Sequence, residues 1–219
     1  MTARIALSLA ASLLIGSSAS ATMFTLKNDQ YPDAPGSIEG AAVCGFLTGE
    51  KFAVILSPPP DRYPYKLRTL EIFAAAVRDM NGACAPLDPN RADIGYYQFR
   101  LDLYADSGNL ADDPEGSPIL TLPELTGELN GNTLGSIDLT RNNSEIESDV
   151  LLYQGDVRAV FTITQTDGRP MRDLNGIMLG RNKIYAAQLD KWTDSAMLGL
   201  TGDFLVRMKV SSDVQPSGG

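Results

Sequence analysis

The run YADSGNLADDPEG, Tyr104 to Gly116, concentrates oxygen-bearing side chains: Asp106, Asn109, Asp112, Asp113 and Glu115. Calcium is held by six to eight carboxylate, amide and carbonyl oxygens in flexible loops. Asp106, Asn109, Asp112 and Asp113 are therefore the calcium candidates. Their spacing departs from the D-x-[DN]-x-[DN]-G order of an EF-hand loop. The same residue types also build ordinary turns by bonding their own backbone, so a solvated turn is the plainer reading. A second run, DGRPMRDLNG, offers Asp167, Asp173, Asn175 and Gly176. There D-L-N-G is either a fragment of a calcium loop or a β-turn with glycine at its left-handed position. The turn is the expectation, and a meeting of the two loops at one end of the fold would strengthen the case for a cation.

Histidine is absent from the chain. That excludes Ser-His-Asp and Cys-His nucleophile activation. It also excludes HExxH zinc hydrolysis and histidine-ligated iron or copper. No S-x-x-K spacing offers a serine–lysine pair. Carboxylate-only polysaccharide hydrolysis survives, and it needs two acids about 5–10 Å apart with one kept protonated. Glu50, Glu71, Asp102 and Glu128 are the candidates, with Glu71 and Asp102 expected on solvent faces of strands. No pair stands out, and no catalytic residue or cofactor is assigned. A ligand rim is drawn from Tyr63, Tyr65, Trp192 and Asp194. The two tyrosines flank a proline turn, and Trp192 and Asp194 fall in an expected loop. Together with Tyr96 and Tyr97 these rings could stack on a sugar, although aromatics mostly pack in cores and a buried indole needs a partner for its N–H.

The elements that must position these residues are short strands. KFAVIL is apolar at both parities, which marks a buried central strand, and Pro58 to Pro60 stop it. YKLRTLEIF, YYQFRLDLYAD, LGSIDLT, DVRAVFTIT, NKIYA and GDFLVRMKV also read as strands. ILTLPEL reads as a short strand ended by Pro123, and a first strand is expected near Gly40 to Phe46. About eight or nine strands divided by turn signals give an all-β chain. The expected fold is an antiparallel β-sandwich, jelly-roll-like first and immunoglobulin-like second.

The first residues form an export signal: Arg4, then the apolar run IALSLAASLLI, then the small-x-small site Ala19 to Ala21. The run is shorter than the roughly 20 residues a membrane span needs, and no later segment reads as a span. The expected division is a signal peptide over 1–21, a lead-in segment over 22–39, the sandwich over 40–210 and a disordered tail over 211–219. The mature protein is thus expected to be secreted or periplasmic. Net charge is −9. That argues against nucleic acid, whose binders present a basic face, and against an anionic membrane surface. Partners left open are an extracellular glycan or a surface protein. Cys44 and Cys84 are the only cysteines, and an oxidising compartment permits a disulfide between them; a metal pair is the weaker alternative. Asn142 to Ser144 forms a glycosylation sequon by pattern alone.

Three longer stretches carry a resemblance: GEKFAVILSPPPDRYPYKLRTLEIF, RLDLYADSG and GRNKIYAAQLDKWTDSAMLGLTGDFLVRMKV. They resemble a recurrent set of bacterial secreted β-sandwich proteins with an early GE-x-x-AV-x-x-x-P strand and late GRN-x-IYA and LGLTGDF strands. The resemblance implies a fold and an exported location and supplies no catalytic residue. The functional expectation is an exported, non-catalytic binding or scaffolding protein. A carboxylate-only hydrolase and a purely structural surface protein are the alternatives.

Overall fold

The computed structural model describes residues 21–32, 40–43, 46–74, 94–130, 133–140, 150–164, 170–176 and 178–212. The signal peptide, Cys44, Cys84, Asp167, the sequon and the tail beyond Ser212 lie outside the described residues. Tyr96, Tyr97 and Glu128 lie on strand backbone whose side chains are likewise outside them.

The chain forms an antiparallel β-sandwich. One sheet runs β1 (Thr22–Lys27), β13 (Val206–Ser212), β4 (Tyr65–Ala74) and β7 (Thr133–Asp138), with β8 (Leu151–Leu152) also paired to β4. The other has six strands: β12 (Lys191–Asp194), β11 (Asn182–Ala186), β3 (Lys51–Leu56), β9 (Asp156–Ile163), β5 (Ile94–Asp106) and β6 (Leu120–Asn130). A two-residue pairing joins β2 (Ala41–Ala42) to β10 (Met171–Arg172). Between the sheets the inward sets interdigitate. Phe52 stacks on Phe161 with centroids 4.5 Å apart, Phe99 meets Phe161 edge-on at 5.0 Å, and Phe204 sits 5.0 Å from Phe52. These rings anchor one continuous core that includes Val54, Leu70, Leu101, Met208 and Val210.

Three elements differ from expectation. The lead-in segment opens with a strand: Thr22–Lys27 pairs along its whole length with the C-terminal strand, Thr22 opposite Ser212. Only six residues with a partly buried face gave little signal, and the partner lies at the other end of the chain. Strand β6 continues through Pro123 because β6 is a sheet edge and the register slips there, with Phe99 opposite Leu125 but Leu101 opposite Leu122. A proline without a donor is tolerated at such an edge irregularity. Finally, Trp192 lies in edge strand β12, opposite Tyr185, and not in a loop.

Both sheets are covered on their outer faces as well. Phe73, Leu205 and Met171 form a second cluster with Tyr31 and Ala42 against the smaller sheet. Ala53, Val160 and Trp192, with Tyr104 and Tyr185, form a third on the larger one. This double coverage explains why β3 and β9 are buried at almost every position.

Candidate functional site

The six-stranded sheet gathers its loops at one end. Strand β5 ends at Asp106 opposite Asp156, where β9 begins. Strand β3 ends at Leu56 opposite Val157, and β11 begins at Asn182 opposite Val54. The loops over 57–64, 107–119, 153–155, 173–176 and 178–181 therefore meet here. They are cross-linked: the Tyr63 hydroxyl donates to Gly155 O at 2.6 Å, and Arg181 reaches Asp156 at 3.2 Å and also the Ser57 hydroxyl. Gly180, at φ +81°, packs so close that a Cβ there would press on Leu110 of the acidic loop.

The acidic loop is fastened to the sheet by two cations. Arg158, from β9, is fully buried. Its Nε donates to Asp106 Oδ2 at 2.7 Å, Nη2 to Ala111 O at 2.7 Å, and Nη1 to Asp112 O at 3.0 Å. Nη2 also lies 2.6 Å from Asp106 Oδ2, with both side chains wholly shielded from water. Lys183, from β11, donates to Asp112 Oδ1 at 2.7 Å. Asn109 accepts from Ala111 N at 2.8 Å. Glu115 accepts from the Ser107 hydroxyl at 2.7 Å and its amide at 3.1 Å, and those bonds hold its carboxyl below the usual range. Asp113 is exposed. Of the four calcium candidates, Asp106 serves an arginine, Asp112 a lysine and Asn109 a local turn, while Asp113 is exposed, and among the described residues no three acidic or thiol side chains converge as a metal group.

Beside this loop is a cleft of about 440 Å³ lined by Ala105, Asp106, Ser107, Glu115, Gln154 and Gly155. Ser107, Glu115 and Gln154 bring polar side chains to its wall. Asp106 Oδ1 is buried with no partner of its own. Tyr153 precedes Gln154 in the β8–β9 turn and is 72% exposed. A large ring left in water, in the turn whose next two residues line the cleft, is the uncommon feature here, because aromatic side chains ordinarily bury most of their area. Tyr63, half-buried, adjoins the same cleft through Gly155.

Of the other rim candidates, Tyr65 and Trp192 are buried, and Asp194 is bound to Gly180 of the loop cluster. Tyr65 is fully buried in the core, and burial, reinforced by Tyr63 and Asp156, drives its phenol well above the ordinary range. Trp192 is 7% exposed and packs 5.6 Å from Tyr185 on the outer face of the larger sheet. Asp194 caps the 3-10 turn Ser195–Leu198 by accepting from Ala196 N at 2.9 Å, and it accepts from Gly180 N at 2.5 Å. Tyr65 and Trp192, expected at a rim, are drawn inward, Tyr65 into the core between the sheets and Trp192 into the cluster on the outer face of the larger sheet.

The expected solvent-facing acids are also buried. Glu71 pairs with Lys209, and Asp102 is held by Arg100 at 2.9 Å and the Thr121 hydroxyl at 2.6 Å. Glu71 is on the smaller sheet and Asp102 on the larger. Glu50 accepts from Leu47 N at 2.9 Å. Sequence reasoning missed Tyr153, Gln154 and Arg158. An arginine inside the otherwise apolar run DVRAVFTI was the available signal, since a charge at such a position must find a partner.

No family model matches this chain, and no curated protein matches it. Among solved structures it is similar to the cysteine protease and lectin-like domains of a surface-layer-associated protein of Clostridium difficile, at 13% identity with a TM-score of 0.44. The match covers 75% of this chain and 32% of that one, so the chain spans about a third of the length of the structure it matches. At this distance the likeness is one of strand architecture and carries no functional argument.

Proposed function

We propose that the protein is an exported, non-catalytic binding module whose loop end takes a polyhydroxylated ligand, such as a glycan at the cell surface or in the periplasm. The observation that carries the reading is the exposed Tyr153 ring in the turn that supplies Gln154 and Gly155 to a cleft also lined by Ser107 and Glu115. A sugar offers a flat C–H face for a ring and hydroxyls for carboxylate, amide and serine groups; sites of this kind combine an apolar platform with a few placed polar groups. The leader over 1–21 supports an address outside the cytoplasm, and no helix of the described residues is long and apolar enough to cross a membrane. The net charge of −9 favours a neutral ligand over a polyanion.

The test is a panel of neutral oligosaccharides titrated calorimetrically against the protein. Tyr153→Ala is expected to weaken binding at least about tenfold, equivalent to about 1.4 kcal/mol, without changing the melting temperature. Saturable binding unaffected by Tyr153→Ala would place the ligand elsewhere. Hydrolysis of any member of the panel, abolished by a single carboxylate change, would replace the binding reading with an enzymatic one.

A further inference from the structure

The side chains on the wall of the cleft are rich in acceptors and poor in donors. Ser107 spends both of its donors on Glu115, the hydroxyl on Oε1 at 2.7 Å and the amide on Oε2 at 3.1 Å. Its oxygen is left as an acceptor. Glu115 accepts only. The Ser107 hydroxyl first, then the Ser107 amide and the Asn109 side chain, bond its ionised form and hold the carboxyl below the usual range. A carboxylate has about four acceptor positions, so these bonds do not saturate it. Asp106, 3% exposed, lines the same cleft, and its Oδ1 has no partner. Among the lining side chains only the Gln154 amide still offers a donor.

The charges are equally one-sided. Three acids at this end of the sheet are each matched by a cation: Asp106 by Arg158, Asp112 by Lys183 and Asp156 by Arg181. Glu115 has no lysine or arginine within ion-pair distance among the described residues. Arg158 has only the smallest influence on its carboxyl and directs its own donors to Asp106, Ala111 and Asp112. The turn that carries Tyr153 and Gln154 is set hard against this wall: at Gly155, φ +76°, a Cβ would lie 2.2 Å from Asp106 O. An exposed aromatic face in such a turn attracts a cation as well as a sugar ring.

We infer, resting on the glycan reading above, that the cleft prefers a glycan with free amino groups, the ammonium of a deacetylated hexosamine donating to Glu115 and Ser107. An ammonium has three donors and no acceptor, the complement of this wall. An acetamide carries no charge and brings a carbonyl acceptor of its own. Hydrogen bonds in which a partner is ionised are roughly twice as strong as neutral ones, so the amine is where the cleft discriminates most between related sugars.

The experiment titrates the purified protein calorimetrically with a glucosamine oligomer and with its N-acetylated counterpart of the same length. Mildly acidic pH keeps the sugar amine charged and Glu115 ionised. The glucosamine oligomer is expected to bind about tenfold more tightly. Raising the pH until the amine is neutral is expected to erase that preference and leave the acetylated oligomer unchanged, a readout that needs no variant. Glu115→Gln, which keeps an acceptor for Ser107, is expected to bring the two affinities to within about twofold of each other. Asp113→Asn, at an exposed acid of the same loop, leaves the preference in place. Equal affinities in the wild type would overturn the inference and leave the glycan reading standing. A preference that survives Glu115→Gln, or is lost with Asp113→Asn, would reduce it to general attraction by an acidic chain and overturn it too. An oligolysine bound as tightly as the glucosamine oligomer would mean that an ammonium is read without a sugar, which overturns the sugar assignment. Absence of binding by both oligomers overturns the inference, and the neutral panel alone then decides the glycan reading.

Discussion

Asp106→Asn tests the claim that the acidic loop is held by a buried ion pair and is not a free turn. Both side chains are wholly shielded from water, with Arg158 Nη2 and Asp106 Oδ2 2.6 Å apart. Solvent screening therefore does little to discount the pair, unlike a surface salt bridge. Removing one member of a buried pair leaves an uncompensated charge and costs about 3–5 kcal/mol. Arg158 would still donate to the carbonyls of Ala111 and Asp112, which places the expected loss at the lower end, about 3 kcal/mol. For a domain of this size that is a fall of about 6–12 °C in melting temperature. The assay is urea denaturation with fluorescence, checking that the m-value is unchanged, followed by a double-mutant cycle with Arg158→Met. A coupling energy above about 1.5 kcal/mol is expected. Lys183→Met is the internal comparison: its partner Asp112 is 59% exposed on the side chain, so its loss should cost about 1 kcal/mol or less. If Asp106→Asn costs less than Lys183→Met, the loop is not anchored by Arg158 and the rigid wall assigned to the cleft does not exist.

Three further outcomes are expected. Asp29→Ala strips Arg207 of contacts at 2.5 and 2.9 Å; it should cost about 3–5 kcal/mol and accelerate hydrogen exchange in β1 before other strands. Tyr65→Phe removes a buried hydroxyl that has no partner, so it should be neutral or stabilising by up to about 1 kcal/mol. Because the folded Tyr65 phenol ionises later than the unfolded one, wild-type stability should fall as pH rises past about 10, and Tyr65→Phe should flatten that slope in alkaline melts. Gly155→Ala forces a side chain into φ +76° and against Asp106 O; a loss of about 2 kcal/mol or more, with weakened glycan binding, would be read by melting and calorimetry together.

The sandwich was legible because its inner faces obey simple alternation. Phe99, Leu101 and Leu103 on β5 and Phe204, Val206 and Met208 leading into and along β13 point to the core as their spacing predicts. The outer faces were not legible, because alternation assigns Arg158, Asp102, Glu71 and Arg207 to water, whereas all four are buried, the arginines under loop segments and the acids against neighbours in their own sheets. Whether such a residue faces solvent depends on which distant segment folds over it, and Arg207 is covered by a residue 178 positions away in the chain. Two rim candidates, Tyr65 and Trp192, are likewise buried. Trp192 looked like loop because a four-residue edge strand has too few positions to show a period. Tyr153 carried no sequence signal at all, since exposure of a turn tyrosine is decided by the absence of anything packed against it.

These buried charges share a placement that the inner core does not explain. Arg158 fastens 106–112, Arg207 fastens 29–32, and Asp203 fastens 178–182, each tying an irregular segment to a sheet. Apolar contacts alone would stabilise such segments as well or better, since a buried pair often breaks even against hydrophobic replacement. What directional bonds add is a fixed geometry, and two of the three sites lie at the end where the β3, β5 and β11 loops meet. Exposed apolar side chains collect there too: Tyr153, Leu174, Met178, Leu179 and Met197 range from 47% to 79% exposure. For the binding reading proposed above, this placement has a use. A preorganised rim spends less of its interaction energy on ordering when a ligand arrives.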